Sequence, residues 1–570
     1  TEEYIENNYD RRQSDEDGDG THLISRASVP GTDWFDVVSQ MGWYQKYNLN
    51  VSGGSESTNF GIMAGYLNEE AYVKYSDFER FNLRLNADHD LTDWLTIGER
   101  LKVTHSQDKG MKNARGSEGS IIAWCYRAQP IIPVYDVKGH FMGSKVPETG
   151  NAENPLANLY RARNNFGRDL SASGNFNVQA NIIEGLSFKS LLGFDLGMSN
   201  SKWYGYRNRE DTEASKNESV GRYSGESRNW NWSNTLNYAK SFGSHRIDIM
   251  AGTEAVENTY YNLSGNHQAY FSPDYMPSTP YMVLDAGTEA QSNSGDYSSW
   301  STFSMFGRFN YTYGDRYILN ATFRRDGSSR FGSENRYGNF PAFSLGWRVT
   351  EESFMEGTAS WLDYLKIRGG WGLVGNDRIG NYNGYTTFNM SSWNAIYPLA
   401  GGNVGGVAGI QSAAFGNPEA RWESTETINV GVQSTIFDVL DVNIDVWEKN
   451  TSDMLYPATI PAVMGDADIP SVNIAEMKNR GFDLELGVTT PDDNQGEFTY
   501  DISLNISHYK NEVKKLTGAA GEKIWSSELR HMRYARAEAG TEFPEFYGYV
   551  VDGIFQSEQE RSEERRVGKE

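Results

Sequence analysis

A single cysteine, Cys125, rules out any intramolecular disulfide in this chain of 570 residues. A large exported protein manages without one if its hydrogen-bonded wall is extensive enough, and one cysteine in such a chain reads as an apolar filler rather than a catalytic thiol. No run of 18 or more apolar residues occurs, so a helical membrane span is not expected. That shortage does not exclude membrane strands, whose alternating faces keep mean hydropathy low. Positive charge is in deficit: the net charge is −24, which disfavours a phosphate-backbone partner, and no nucleic acid is expected. The eight histidines are scattered and none forms H-E-x-x-H; G-x-S-x-G and Walker loops are absent too, so no enzyme is expected. The start, Thr1-Glu2-Glu3-Tyr4, carries no signal peptide, as in a mature protein or one whose beginning is missing.

What is present favours strands and turns. Aromatics make up 13% of the chain and glycine contributes 58 residues. Period-2 alternation recurs throughout. Tyr47, Leu49 and Val51 alternate with Asn48, Asn50 and Ser52. Phe81, Leu83, Leu85 and Ala87 alternate with Asn82, Arg84, Asn86 and Asp88. The same pattern runs over Leu170–Asn181, Phe303–Tyr313 and Tyr500–Ser507. Each pattern places one face in an apolar medium and the other in water. About seventeen such strands are expected, many of about ten residues, the length a tilted strand needs to cross a bilayer.

The connections take turns in length. Short ones fall at Ser52–Thr58, Asp88–Asp93, Ile182–Gly185, Lys240–Ser244, Gly314–Asp315, Phe437–Asp438 and Pro491–Gly496. Long ones fall at Asn68–Asp77, Gln107–Arg168, Ser199–Glu226, Asn258–Trp300, Gly375–Arg421, Asn450–Lys478 and Asn511–Phe546. Asp326–Gly338 is of medium length, and Glu351–Asp363 is expected to hold a short helix on the short-turn side. In an up-and-down meander this gathers short turns at one rim and long loops at the other, as in outer-membrane barrels. Lipid leaves an unpaired backbone group no water to bond, so a spanning sheet must close. Trp94, Tyr313, Tyr317, Trp361, Tyr364 and Trp422 stand where an interfacial girdle would, although aromatics are enriched in all strands.

Several runs resemble a known family. Thr32–Asp36 with Asn48–Glu56, Gly65–Glu70 with Arg80–Asn86, and above all Phe323–Gly332 continuing through Asn335–Gly338 and Phe340-Pro341 to Ser344–Trp347 look like the SusC/RagA family of TonB-linked outer-membrane proteins. Leu365–Arg368, Gly375-Asn376 and Phe546–Phe555 extend the likeness over nearly the whole chain. The resemblance implies an all-β fold: an antiparallel up-and-down transmembrane β-barrel of twenty-two strands plugged by an N-terminal domain, here incomplete at about seventeen strands. It implies that residues 1–44 are the first extracellular loop region and residues 45–560 a partial TonB-dependent receptor barrel. The plug, first strand, TonB-contacting segment and last four strands are then absent. Residues 561–570, Arg-Ser-Glu-Glu-Arg-Arg-Val-Gly-Lys-Glu, break the pattern and resemble a translated sequencing adapter, a non-native tail; a natural charged tail is the alternative.

The resemblance further implies import of oligomeric nutrients, glycans or peptides, across the outer membrane. A SusD-like surface lipoprotein, the TonB complex and membrane lipid would be its partners. The rivals are a secreted or surface β-rich glycan-binding or adhesion protein without transport, and a polysaccharide-degrading enzyme.

Local motifs add little. Asp15-Glu16-Asp17-Gly18-Asp19-Gly20 begins like a calcium loop, but the position of the bidentate Glu is Arg26, so a solvated acidic loop is favoured. Gly401-Gly402 and Gly405-Gly406 read as flexible turns. Asp441 and Asp445 read as polar-face residues. Arg324, Arg325, Asp326 and Arg330 form the densest motif and read as a charged, glycine-assisted loop rather than a ligand contact. Tyr260, Tyr261, Tyr270, Phe271 and Trp300 could stack on sugars or simply pack loops. No catalytic, metal or cofactor residue is assigned.

Overall fold

In the computed structural model the described residues are 31–570, apart from 112–119, 136–138, 146–149, 207, 209, 212–216, 271–282, 390–395, 398–406, 458–466, 491–498, 517–522, 527–531, 549–552, 555 and 559–570. The Asp15–Asp19 loop, the Gly401–Gly406 turns, Phe271 and the tail 561–570 lie outside them.

Sixteen strands hydrogen-bond to one another in chain order. They are β1 (Tyr44–Gly54), β2 (Thr58–Glu70), β3 (Asp77–Thr92), β4 (Leu95–Lys109), β5 (Phe166–Ile183), β6 (Leu186–Gly205), β7 (Ser219–Phe242) and β8 (His245–Tyr270). They continue as β9 (Gly287–Tyr313), β10 (Tyr317–Ser328), β11 (Tyr337–Arg348), β12 (Leu362–Asn376), β13 (Glu423–Ile436), β14 (Leu440–Pro457), β15 (Ser471–Thr489) and β16 (Asp501–Lys515). The expected seventeenth, following Phe546, falls largely on residues outside the described ones. Four of the five alternating segments lie wholly within these strands, and the fifth does so from Asp501.

The turns close for local reasons. At β9–β10, Gly314 and Asp315 both have φ near +57°, the left-handed pair that a tight hairpin needs. At β13–β14, Phe437 and Asp438 adopt the same conformation, and the Asp438 N–H donates to Asp363 Oδ2 at 2.6 Å. Between β11 and β12, two 3₁₀ turns, Val349–Glu351 and Ser353–Thr358, occupy the place expected for a short helix.

Strands β7, β8 and β9 have 24, 26 and 27 residues. Roughly 10 tilted residues cross a bilayer core, so each strand continues well past it. This shortens the loops: Ser199–Glu226 reduces to 206–218, and Asn258–Trp300 to 271–286. The extensions escape sequence reading because Thr288–Ser299 is largely polar on both faces and carries no alternation.

The chain divides into two compact units, residues 1–237 with 252–303, and residues 238–251 with 304–570. In the first, register carries each apolar residue onto the next. Leu49, Ala64, Leu83, Val103, Ala172 and Leu196 form one row, and Val51, Ile62, Leu85, Leu101, Gly174 and Phe194 another. The polar rows between them run Asn50, Met63, Arg84, Lys102, Ser173, Asp195 and Ser52, Gly61, Asn86, Arg100, Asn175, Gly193. In the second unit, Tyr317, Trp347, Ile367, Val432, Ile444, Leu484 and Ile506 share a row, as do Leu319, Leu345, Gly369, Val430, Val446, Phe482 and His508.

The apolar rows are bare. Leu49 is 65% exposed and Val430 57%. A soluble sandwich would bury these rows under a second sheet. A lipid-facing wall leaves them uncovered by protein.

The first unit also has a true core, at the end where the long connections lie. Three short helices build it: α1 (Trp34–Val38), α2 (Ile121–Arg127) and α3 (Pro155–Ala162). Each starts at a capping side chain. Asp33 accepts from the Phe35 and Asp36 N–H groups, Ser120 from Ala123 and Asn154 from Ala157. Trp34, Val38, Ile121, Trp124, Cys125, Ile132, Met142 and Leu159 fill the space between them. Burying each large side chain stabilises by roughly 1.5–3 kcal/mol. This makes the described parts of the long Gln107–Arg168 connection a folded structure with its own core.

Candidate functional site

Two surfaces of the first unit combine a recess with hydrogen-bonding side chains. On the polar face of the sheet, Arg84 and Lys102 sit directly opposite each other, flanked by Asn86, Asn175 and Asp195. They border a trough of about 520 Å³ into which Asn229 and Asn231 also reach. Arg100 donates to Asp88 Oδ2 at 2.6 Å and to the Ala87 carbonyl at 2.9 Å, which holds the basic row in place. Amides and cations spaced along strands offer directional hydrogen bonds to hydroxyls, carbonyls or carboxylates.

The second surface is a cavity of about 570 Å³ where the helical core meets the ends of β5 and β6. Trp124, Tyr206 and Phe166 supply apolar walls, and Asn158, Arg161 and Asn208 supply polar groups. Arg161 is fixed by a two-pronged bond to Glu210 at 2.6 and 3.1 Å, and its guanidinium lies against the rings of Tyr206 (5.0 Å) and Phe141 (5.6 Å). The Tyr204 N–H donates to Asn165 Oδ1 at 2.8 Å, tying the segment after α3 to β6.

Behind this cavity Asp211 is almost fully buried. It accepts from the Ser144 N–H at 3.3 Å and from Asn208 Nδ2 at 3.3 Å. Burial first, then the neighbouring Glu210 charge, pushes its carboxyl up to about 8; the Ser144 bond and Arg161 oppose the rise. The Arg161–Glu210 pair therefore ties Glu210 to α3, and the acid Asp211 next to it is tied to Ser144.

The residues singled out from sequence distribute as follows. Arg324 Nε donates to Asp326 Oδ1 at 2.6 Å, and an Nη to Ser304 at 2.8 Å. Arg325 lies against the Tyr337 ring at 5.0 Å. Arg330 donates to Asn381 Oδ1 at 2.9 Å and pairs with Asp377 at 3.2 Å, so it staples the β10–β11 connection to the segment after β12. Asp445 pairs with Arg368, and Asp441 accepts from Thr435 at 2.7 Å.

The sugar-stacking candidates whose side chains are described do not converge. Tyr260 and Tyr261 alternate to opposite faces of β8, and the Tyr260 hydroxyl bonds that of Tyr223. Trp300 sits half-buried in β9. Cys125 is buried in the helical core, its Sγ directed at the Trp34 carbonyl, and burial pushes the thiol up to about 11.

Two girdle candidates move. By plain alternation Tyr364 shares the polar face with Lys366 and Arg368, and there the Arg348 guanidinium lies 5.4 Å from its ring. Trp422 packs in the loops against Phe331 and Phe340, each at 5.3 Å. Tyr313 and Tyr317 remain together, stacked at 6.4 Å. The cavity residues Trp124, Arg161 and Tyr206 were missed; the only local signals were Ser120 and Asn154, each in an N-cap position.

The family profile of the TonB-dependent receptor-like β-barrel matches residues 126–548. The chain belongs to the TonB-dependent receptor β-barrel family. It is an outer-membrane protein and a relative of SusC-like transporters. It is 30% identical to TonB-dependent receptor P39 of Formosa agariphila, over 92% of this chain and 47% of that protein. It is 27% identical to TonB-dependent receptor SusC of Bacteroides thetaiotaomicron, over 89% of this chain and 51% of that protein. Among solved structures, the RagAB peptide importer in its closed-closed state superposes with a TM-score of 0.76 at 22% identity, covering 95% of this chain and 58% of that one. The chain thus spans about half the length of these relatives.

Proposed function

We propose that this chain forms wall and outer loops of an importer that takes an oligomeric nutrient, a glycan or a peptide, across the outer membrane. The observation that carries the proposal is the two-faced register: uncovered apolar rows on one side, and on the other a trough of amides and cations about Arg84, Lys102 and Asn175. A lipid-facing exterior and a hydrated, hydrogen-bonding interior follow from that division. The adhesin reading requires the apolar rows to be buried, and they are exposed.

In this proposal the long-connection end, with residues 1–44, faces outward. A SusD-like lipoprotein closes over it, and TonB supplies the energy from within. SusC and the RagAB peptide importer support this reading, the first as a relative and the second through its fold.

The test is disruption of the gene carrying this chain, followed by growth and uptake assays with defined glycan and peptide oligomers. Loss of uptake of one class, restored by the intact gene and abolished again without TonB, is the expected result. Undiminished uptake of every oligomer offered overturns the proposal. Co-purification of a surface lipoprotein in mild detergent tests the partner separately.

A further inference from the structure

Four aromatic rings stand in file at the long-connection end of the first unit. Tyr135 lies against Phe141 with ring centroids 5.2 Å apart, Phe141 against Tyr160 at 5.7 Å, and Tyr160 against Tyr75 at 5.8 Å. Three parts of the chain supply them. Tyr75 comes from the β2–β3 connection, Tyr160 from α3, and Tyr135 and Phe141 from the segment between α2 and α3. None belongs to the buried helical core. Tyr75, Tyr135 and Tyr160 stay 41%, 48% and 38% exposed.

The backbone holds these rings in place. Tyr135 and Phe141 form an antiparallel bridge, and the Asn154 amide donates to the carbonyls beside it, Val134 at 3.1 Å and Met142 at 2.7 Å. Tyr160 follows the buried Leu159 on α3, and the Arg163 guanidinium lies 3.7 Å from its ring centroid. Tyr75 has φ +63°, a left-handed backbone that a bulky residue rarely takes. Glycine would sit there without strain, so a tyrosine at this position points to a use for its ring. The hydroxyls also set the file apart from tyrosines of the wall. Those of Tyr66, Tyr311 and Tyr317 bond Glu79, His245 and Glu352. Among the described residues, no group bonds the hydroxyls of Tyr75, Tyr135 and Tyr160.

We propose that this file is a binding strip for a glycan chain, with successive sugars stacked on successive rings. A pyranose presents a flat face of C–H groups that packs on an aromatic ring, and edge hydroxyls that exchange hydrogen bonds with phenol groups. The step from ring to ring is close to the length one pyranose adds to an extended chain. In an extended peptide, side chains on one side recur only every ~6.8 Å, which is longer than this step. A docking protein calls for a broad apolar patch, and the strip is one ring wide. The inference rests on the proposed import of an oligomer with this end outward, and it selects the glycan class.

The experiment uses the full-length protein, purified from outer membranes in mild detergent. Binding is measured by affinity electrophoresis and calorimetry against soluble glucans, mannans, xylans and fructans, with a library of defined peptides as a parallel arm. The variants are Tyr135→Ala/Tyr160→Ala, Tyr135→Phe/Tyr160→Phe, Tyr75→Gly, and Tyr126→Ala as an exposed aromatic outside the strip. Wild type is expected to bind at least one of these glycans. The alanine pair should bind it roughly tenfold more weakly or worse, the phenylalanine pair within about threefold of wild type, and Tyr126→Ala equally well. Tyr75→Gly removes a ring while relaxing its backbone, so it should keep the wild-type unfolding temperature and still bind more weakly. Equal glycan affinity in wild type, the alanine pair and Tyr75→Gly overturns the proposal, as does binding of no glycan in the set. Strip variants that weaken peptide binding or lipoprotein co-purification, and leave glycan binding intact, overturn it too. Each of these results leaves the uptake test of import untouched, and undiminished uptake after gene disruption overturns import without removing glycan binding at the strip.

Discussion

Arg368 on β12 reaches across β13 to pair with Asp445 on β14, and it does so over Gly431. Its Nε donates to Asp445 Oδ1 at 3.2 Å, and an Nη group donates to Asn443 Oδ1 at 2.8 Å as well as to Asp445. A Cβ at Gly431 would stand 2.2 Å from Asp445 Oδ1 and 2.8 Å from Arg368 Nε. Gly431→Ala is therefore expected to part the two charges and cost about 1–3 kcal/mol. Heat-induced unfolding in detergent checks it, and Gly431→Ala in an Arg368→Met background should cost much less, because the crowded pair is already gone.

The two faces of β13 should respond oppositely to charge. Val430 lies in an exposed apolar row, whereas Gln433 faces the other way, opposite Asn443. Val430→Arg is expected to destabilise the inserted sheet by about 2–4 kcal/mol near the bilayer midplane. Gln433→Arg should cost little. Refolding equilibria in lipid vesicles separate them, and equal tolerance of both would contradict a lipid-facing row.

Asp211 makes its tie to Ser144 sensitive to alkali. Its carboxyl titrates at about 8 when folded against an ordinary value of 3.8, raised first by burial and then by Glu210. A raised folded pKa means the associated stability is complete below about pH 4 and declines as pH climbs to about 8. Amide-exchange protection at Ser144 and Lys145, corrected for the intrinsic pH effect, should fall between pH 6 and pH 8.5 in the wild type. Asp211→Asn, which keeps the acceptor for the Ser144 N–H, should flatten that dependence.

Cys125 is predicted to be inert. With its thiol pushed up to about 11 by burial and packed in the helical core, little thiolate exists at pH 8 and little surface is offered to reagent. Reaction with a disulfide-exchange reagent at pH 8 should be at least 100-fold slower than in denaturant. A rate close to the denatured one would show that the core opens readily.

Arg330 should be irreplaceable by lysine. It serves Asn381 and Asp377 at once, with both members of the ion pair mostly buried. Either Arg330→Ala or Arg330→Lys is expected to loosen the connection between β10 and β11 by about 1–3 kcal/mol. Limited proteolysis within 329–336 reads this out.

Much of the wall was legible because alternation is a chemical pattern with a fixed period. Tyr47–Ser52, Phe81–Asp88 and Leu170–Asn181 each lie inside strands, and the turns at Gly314-Asp315 and Phe437-Asp438 closed with a left-handed backbone. What stayed hidden has physical causes. The upper part of β9 is wet on both faces, so its sequence carries no period. Tyr364 was legible and misplaced: its alternation with Lys366 and Arg368 puts it on the polar face, not in a lipid-side girdle. The helical core depends on contacts such as Cys125 Sγ with the Trp34 carbonyl, which are distant in sequence and written on helices too short to show a stripe.

The helical core of the first unit implies that the protein is held together by two media. The strands depend on the oil around them, while Trp34, Ile132 and Leu159 are squeezed together by water. Swapping one amphiphile for another should loosen the sheet and spare the helices. Modest urea should melt the helices first, leaving the chain threaded through its bilayer with a softened crown.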